Sequence, residues 1–313
     1  MRRTIDSTLP VPRNASTADG VSSRVSVGYD GSPGAEDAVL WAAQESTALD
    51  VQLRIVSCHD LPLFGVPIPG FVVPTWPTDE LLDRLAVQSD ARLTNIRQLV
   101  GASFPDLDVD TESSMGSASE ILLEGIGTGD LVVVGNSTHE GVAAFWLGST
   151  PRHVVRHSPC PVVVVRGLDG RQRPTRVVVG TDGSPAASQA VTWAAKEAEL
   201  HRISLVVVHT WEHPHLTYDT VDSRTRERTR IDASCVLDQA VQDARDQCGS
   251  DVTAQLVERS AVPGLLGSIQ PGDILVLGTR GRNAISSGLF GSTVNSVLDH
   301  APVSVVVVPD NTP

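Results

Sequence analysis

Asp30 and Asp182 each open the same four residues, Asp-Gly-Ser-Pro, just beyond an apolar run, RVSVG in the first case and RVVVG in the second. A carboxylate at a strand end can hold a divalent cation or accept a hydrogen bond from a ribose hydroxyl, but alone it would repel a phosphate. Anion chemistry is offered instead by two related stretches, GNSTHEGVAAFWLGST (135–150) and GTRGRNAISSGLFGST (278–293). In the second, Gly278 and Gly281 let the backbone turn and approach a phosphate without a Cβ in the way. A helix beginning after Gly291 adds unpaired N–H groups, a positive dipole end and the hydroxyls of Ser292 and Thr293. The first stretch keeps Gly135, Gly148, Ser149 and Thr150 but has Thr138 where the second has Gly281. If that position requires positive φ, a β-branched residue costs about 1–3 kcal/mol, equivalent to about ten- to hundredfold in affinity. Gly141 offers a re-routed loop, and the Thr138 hydroxyl offers an alternative phosphate contact. Lys196 is the single lysine in the chain, which excludes a Walker A loop.

These residues recur because the chain is one unit written twice. RVSVGYDGSPGAEDAVLWAAQES (24–46) matches RVVVGTDGSPAASQAVTWAAKEA (176–198), LRIVSCH ending at His59 matches LVVVH ending at His209, and the two GD-initiated apolar runs match each other. The first copy is the longer, its extra residues falling in the Pro-rich segment LPLFGVPIPGFVVPTWPTD (61–79), read as a loop. Continuous apolar runs alternating with amphipathic stretches predict buried parallel strands joined by helical crossovers. In the first copy the strands are expected near 24–29, 52–58, 107–112, 130–135 and 161–166, with helices over 33–48, 79–101, 117–127 and 149–157. Asp-Gly-Ser-Pro supplies a turn, a serine N-cap and a proline at the first helical position. The architecture expected is α/β: two tandem Rossmann-like doubly wound domains, with ligands at the carboxyl ends of the strands. The expected boundaries are a disordered leader over 1–22, domains over 23–167 and 176–310, and a linker over 168–175.

With 313 residues, 41% hydrophobic and 19% charged, the chain has the size and composition of two globular domains. Its apolar runs are too short to span a bilayer and its first residues lack an apolar signal core, so a cytoplasmic protein is expected. A net charge of −13 makes a broad nucleic-acid footprint a poor fit. Cys58, Cys160, Cys235 and Cys248 show no CxxC spacing and are read as buried reduced thiols. Trp41 and Trp193 fit helix-to-sheet packing, and WEHPHLTYD (211–219) reads as a polar loop over the ligand site rather than a metal centre.

Around these residues the sequence resembles the universal stress protein family in its tandem-domain form, from Arg24 to Pro309. The specific part is G-x2-G-x9-G-[S/T], met in full by Gly278, Gly281, Gly291 and Ser292. The resemblance implies five-stranded parallel sheets of order 3-2-1-4-5, helices on both faces, and binding of ATP, ADP or AMP with Mg²⁺. Gly180 and Asp182 would line the nucleotide and the backbone at Thr210 would meet the adenine; the matching positions in the first copy are Gly28, Asp30 and Asp60. Asp30 and Asp182 are the candidates for the Mg²⁺. The last strands, Val162–Val165 and Val305–Val308, would pair to form an internal pseudo-dimer, with a homodimer of chains and a regulatory protein as further partners.

No nucleophile elbow, HExxH or nucleophile–base pairing is present in the sequence. The leading expectation is a nucleotide-binding regulatory protein of stress response; the alternatives are a slow ATPase of the same fold and a nucleotide-free interaction scaffold.

Overall fold

The structure, a computed structural model, describes residues 24–59, 78–136, 147–167, 172–212, 223–281 and 291–310, together with the strand backbones of 64–68 and 71–75. The expected leader (1–22) and residues 168–171 of the linker lie outside these residues. The first copy runs β1 (Arg24–Gly28), α1 (Pro33–Leu49), β2 (Gln52–His59), β3 (Phe64–Ile68), β4 (Phe71–Thr75), α2 (Asp79–Ser103), β5 (Val109–Met115), α3 (Ala118–Leu123), β6 (Leu131–Gly135), α4 (Ser149–His157) and β7 (Val162–Val165). The second runs β8 (Arg176–Thr181), α5 (Pro185–His201), β9 (Ser204–Trp211), α6 (Ser223–Gln247), β10 (Val252–Glu258), α7 (Ala261–Leu266), β11 (Asp273–Gly278), α8 (Ser292–His300) and β12 (Ser304–Val308).

Local chemistry sets the helix starts alike in both copies. Ser32 and Ser184 accept the N–H of Ala35 and Ala187, each at 3.2 Å, and proline occupies the first turn. Gly31 and Gly183, at φ +85° and +75°, make the left-handed step of the preceding turn. The two helices also end alike, on Asp50 and Arg202 in the left-handed region.

Each copy has the strand order 3-2-1-4-5, and all pairings within a copy's sheet are parallel. The terminal strands then join antiparallel, Val162 opposite Val307, Val163 opposite Val306 and Val164 opposite Val305, giving one ten-stranded sheet. Arg166 N–H donates to Ser304 Oγ at 3.0 Å and Ser304 Oγ–H donates to the Arg166 carbonyl at 3.1 Å, closing the end of this pairing. Two valine-rich edges that would template unwanted pairing are thereby consumed.

Alternation along the strands sends Val25, Val27, Val163, Val177, Val179 and Val306 to one face under α1, α2, α5 and α6. Val132, Val134, Val162, Val178, Val305 and Val307 face the other side under α3, α4, α7 and α8. Both hydrophobic layers run through both copies, so the core is continuous across the junction. Trp41 is 2% exposed in the first layer and Trp193 packs at its margin, as expected of helix-to-sheet packing.

Three expectations change. The Pro-rich segment contains an antiparallel hairpin, β3 with β4, in register Val66 opposite Val73. Prolines 67 and 74 obscured it, because a two-stranded hairpin leaves outward-facing positions where a missing N–H is harmless. Cys235 is exposed on α6 and Cys58 is only half-buried, whereas Cys160 and Cys248 are buried; all four are free thiols. Trp211 is the buried end of β9 rather than part of a loop.

Candidate functional site

At the carboxyl ends of β1 and β6, Gly28, Asp30, Gly135 and Thr150 come together around a cleft of about 180 Å³, lined also by Tyr29, Ser32, Val56, Cys58 and Leu122. Asp30 Oδ1 accepts the Ser32 N–H at 2.9 Å, which ties the carboxylate to the turn that starts α1. Burial, reinforced by Glu36, raises the Tyr29 phenol above its ordinary pKa. Gly148 caps α4 with no side-chain hydrogen bond, so the first-turn N–H groups around Ser149 and Thr150 lack a side-chain cap. Asp60, Thr138 and Gly141 lie outside the described residues.

The second copy builds the equivalent place from the ends of β8, β9 and β11. Asp182 Oδ1 accepts the Ser184 N–H at 3.0 Å, and Ser184 Oγ–H donates to the Arg280 carbonyl at 3.3 Å, stitching the Asp-Gly-Ser-Pro turn to the loop after β11. Gly281 rests against Asp182: a Cβ there would lie 2.6 Å from Asp182 Oδ2. Gly291 donates its N–H to the Thr279 carbonyl at 3.2 Å and opens α8 without a side-chain cap, leaving Ser292 and Thr293 in the first turn. Gly180 lies under Leu277 and Leu265, whose methyl groups would be 2.7 and 2.8 Å from a Cβ.

Several sequence-based expectations are corrected by this geometry. Gly281 does not have positive φ, so backbone strain is not the reason for glycine at this position; the space taken by the Asp182 carboxylate is. Gly135 and Gly278 are in addition required by helix packing. A Cβ on Gly135 would lie 2.3 Å from the Gly34 carbonyl oxygen, and one on Gly278 2.5 Å from that of Ala186, in the first turns of α1 and α5. Thr210 is inside β9, not beyond it. Nor is Asp60 its counterpart. Gly28 pairs with Val56 and Gly180 with Val208, so Val208 matches Val56 and Thr210 matches Cys58. The His59–His209 match in sequence is thus out of step with the fold, where His209 takes the place of Ser57. Cys58, which sequence reasoning left out of the site, lines the first cleft; only strand register identifies it.

Two tandem doubly wound copies, joined through their last strands into one ten-stranded sheet, define the class of α/β protein. The sequence profile described as "Universal stress protein family" matches residues 22–166 and 174–309, and the chain belongs to that family. It is similar to a universal stress protein of Mycolicibacterium smegmatis, 28% identical over 297 residues, covering 90% of this chain and 95% of the relative. A universal stress protein of Mycobacterium tuberculosis H37Rv is 29% identical over 310 residues, covering 91% and 95%. In structure it is similar to a universal stress protein from Archaeoglobus fulgidus, with a TM-score of 0.64 at 18% identity, covering 93% of this chain and 97% of that one. Among the described residues no helix is long and apolar enough to cross a membrane.

Proposed function

We propose that this protein binds an adenine nucleotide, ATP or its ADP and AMP products, in each copy, and acts through occupancy as a regulatory protein rather than through turnover. The observation that carries the proposal is the meeting of an Asp-Gly-Ser-Pro turn with an uncapped helix start: Asp30 and Thr150 line one cleft, and in the second copy the turn of Asp182 and the cap Gly291 are both hydrogen-bonded to the segment after β11, at Arg280 and Thr279. The uncapped first turns of α4 and α8 suit phosphate oxygens. The Cβ-free surface of Gly281 beside Asp182 suits a ligand that brings phosphate and ribose close together. Asp30 and Asp182 each accept a backbone N–H through Oδ1, which orients the carboxylate that would meet Mg²⁺ or a ribose hydroxyl. Thr210 and Cys58 stand where the base would lie against the second strand.

Heat release of nucleotide from the purified protein, and the rise in Tm on adding Mg²⁺-ATP, test this directly. A ligand at about a hundred times its Kd stabilises by about 2.7 kcal/mol, well above detection. No released nucleotide together with no ATP-induced rise in Tm overturns the proposal in favour of a scaffold, and multiple-turnover phosphate release overturns the non-enzymatic part.

A further inference from the structure

Helices α1 and α5 are the equivalent first helices of the two copies, and they meet at the junction. There Glu45 of α1 and Glu197 of α5, which hold matching positions in the repeat, come together with side chains 4% and 5% exposed. Two carboxylates removed from water at close range repel and lose hydration, so such a pair is kept only with a proton or a cation. The cation present is His201, its side chain 5% exposed, where the first copy has Leu49. His201 Nε2 lies 2.8 Å from Glu45 Oε2 and 3.3 Å from Glu197 Oε1. Only the first contact has hydrogen-bond geometry, and Glu197 Oε1 is buried with no hydrogen-bond partner. One oxygen of a buried acid is therefore unsatisfied and aimed at the nitrogen the two acids share.

We propose that Glu45, Glu197 and His201 form a divalent-cation site of the zinc class at the junction between the two copies. The three ligand atoms lie within 4.8 Å of one another. Tetrahedral coordination at the usual bond lengths to nitrogen and oxygen separates ligand atoms by about 3.3 Å. The Glu197–His201 distance already meets this, and the Glu45–His201 distance needs only a small opening. Two carboxylates and a neutral imidazole neutralise a divalent ion, which would replace the protons that otherwise hold the two acids together. An imidazole in the set favours zinc-class ions over Mg²⁺. The cluster adjoins a groove of about 710 Å³ that Glu45 and Glu197 line together with Trp193 and Pro309, from which an ion and a water for the remaining position can enter. The site is separate from the proposed nucleotide clefts, about 20 Å along α1 from its cap at Ser32.

The test uses the full chain, stripped with a chelator, dialysed, and titrated with Zn²⁺ and with Mg²⁺ in the absence of nucleotide. One Zn²⁺ per chain and a rise in Tm that Mg²⁺ does not reproduce are expected. His201→Leu, which installs the residue found at the matching place in the first copy, and Glu197→Gln should each weaken Zn²⁺ binding by at least about tenfold. Co²⁺ loaded into the wild-type protein should give the visible absorption of a low-coordinate site, a readout that needs no variant to fold. Wild type that binds no Zn²⁺, or both variants retaining wild-type affinity, overturns the proposal. So does loss of binding in His157→Ala or Cys235→Ser, which would place the ion at exposed surface ligands.

Discussion

Gly281 and Asp182 touch so closely that a single added methyl would lie 2.6 Å from the carboxylate oxygen Oδ2. The aspartate is itself anchored through Oδ1 to the turn that starts α5, so it has little room to retreat. Glycine at 281 is what lets the loop after β11 close on Asp182. The first copy has Thr138 at the matching position of the sequence.

Gly281→Ala is accordingly expected to destabilise the nucleotide-free protein by about 1–3 kcal/mol, the usual range for overpacking. Adding Asp182→Ala should recover part of that loss, because the two substitutions relieve one contact. Denaturant unfolding of the two single variants and the double variant checks this, and strict additivity would refute the contact. In nucleotide titrations Gly281→Ala should weaken the second site, and Thr138→Gly should strengthen the first.

Gly135→Ala and Gly278→Ala should lower stability even without ligand, since each new Cβ meets helix backbone that cannot rotate away. A loss of about 1–3 kcal/mol each is expected, measured as a fall in denaturation midpoint. Unchanged midpoints combined with lost nucleotide binding would show instead that these glycines serve the ligand.

The thiols should react in order of exposure. A thiol reagent at mildly alkaline pH should modify Cys235 first and Cys58 more slowly, and should reach Cys160 and Cys248 only on unfolding. Burial pushes the Cys160 thiol up to about 12, only partly offset by its hydrogen bond from Ser158. Between its unfolded pKa near 9 and that value the unfolded chain binds fewer protons than the folded one, so this residue makes stability fall as pH rises. Cys160→Ala should flatten that part of the pH–stability curve.

Arg54, buried on β2, reaches Glu112 of β5 through Nε at 3.1 Å and Nη2 at 2.7 Å. Burial raises the Glu112 pKa, but the hydrogen bond and charge of Arg54 outweigh it and hold the carboxyl below its ordinary value of 4.5. The stability it contributes is therefore present above pH 4.5 and is lost as pH falls through the folded pKa. Glu112→Gln should lower Tm at neutral pH, and the difference from wild type should shrink as the solution is acidified.

The repeat, the strands and helices and their alternation were legible from local pattern, because valine runs, a serine cap with proline behind it, and amphipathic spacing are properties of neighbouring residues. The site was legible only in outline. Asp30 and Asp182 lie in the turns after the first strands and Gly148 and Gly291 cap α4 and α8, as local pattern predicts, but the packing of Gly135, Gly278 and Gly281 depends on atoms from distant segments. The hairpin of β3 and β4 was hidden by its prolines, and Cys58 by a sequence match out of step with the strand register.

What this sequence by itself determined is the repeated α/β unit and the turn that starts each first helix, since periodicity and capping act over a few residues. Only the tertiary structure decided the register in which β7 and β12 pair, which residue is the counterpart of Thr210, and that Glu45, Glu197 and His201 share one buried point. These depend on register and on helix-to-helix approach across the junction, where a carboxylate or imidazole gains its meaning from what the rest of the fold brings within a few ångströms of it.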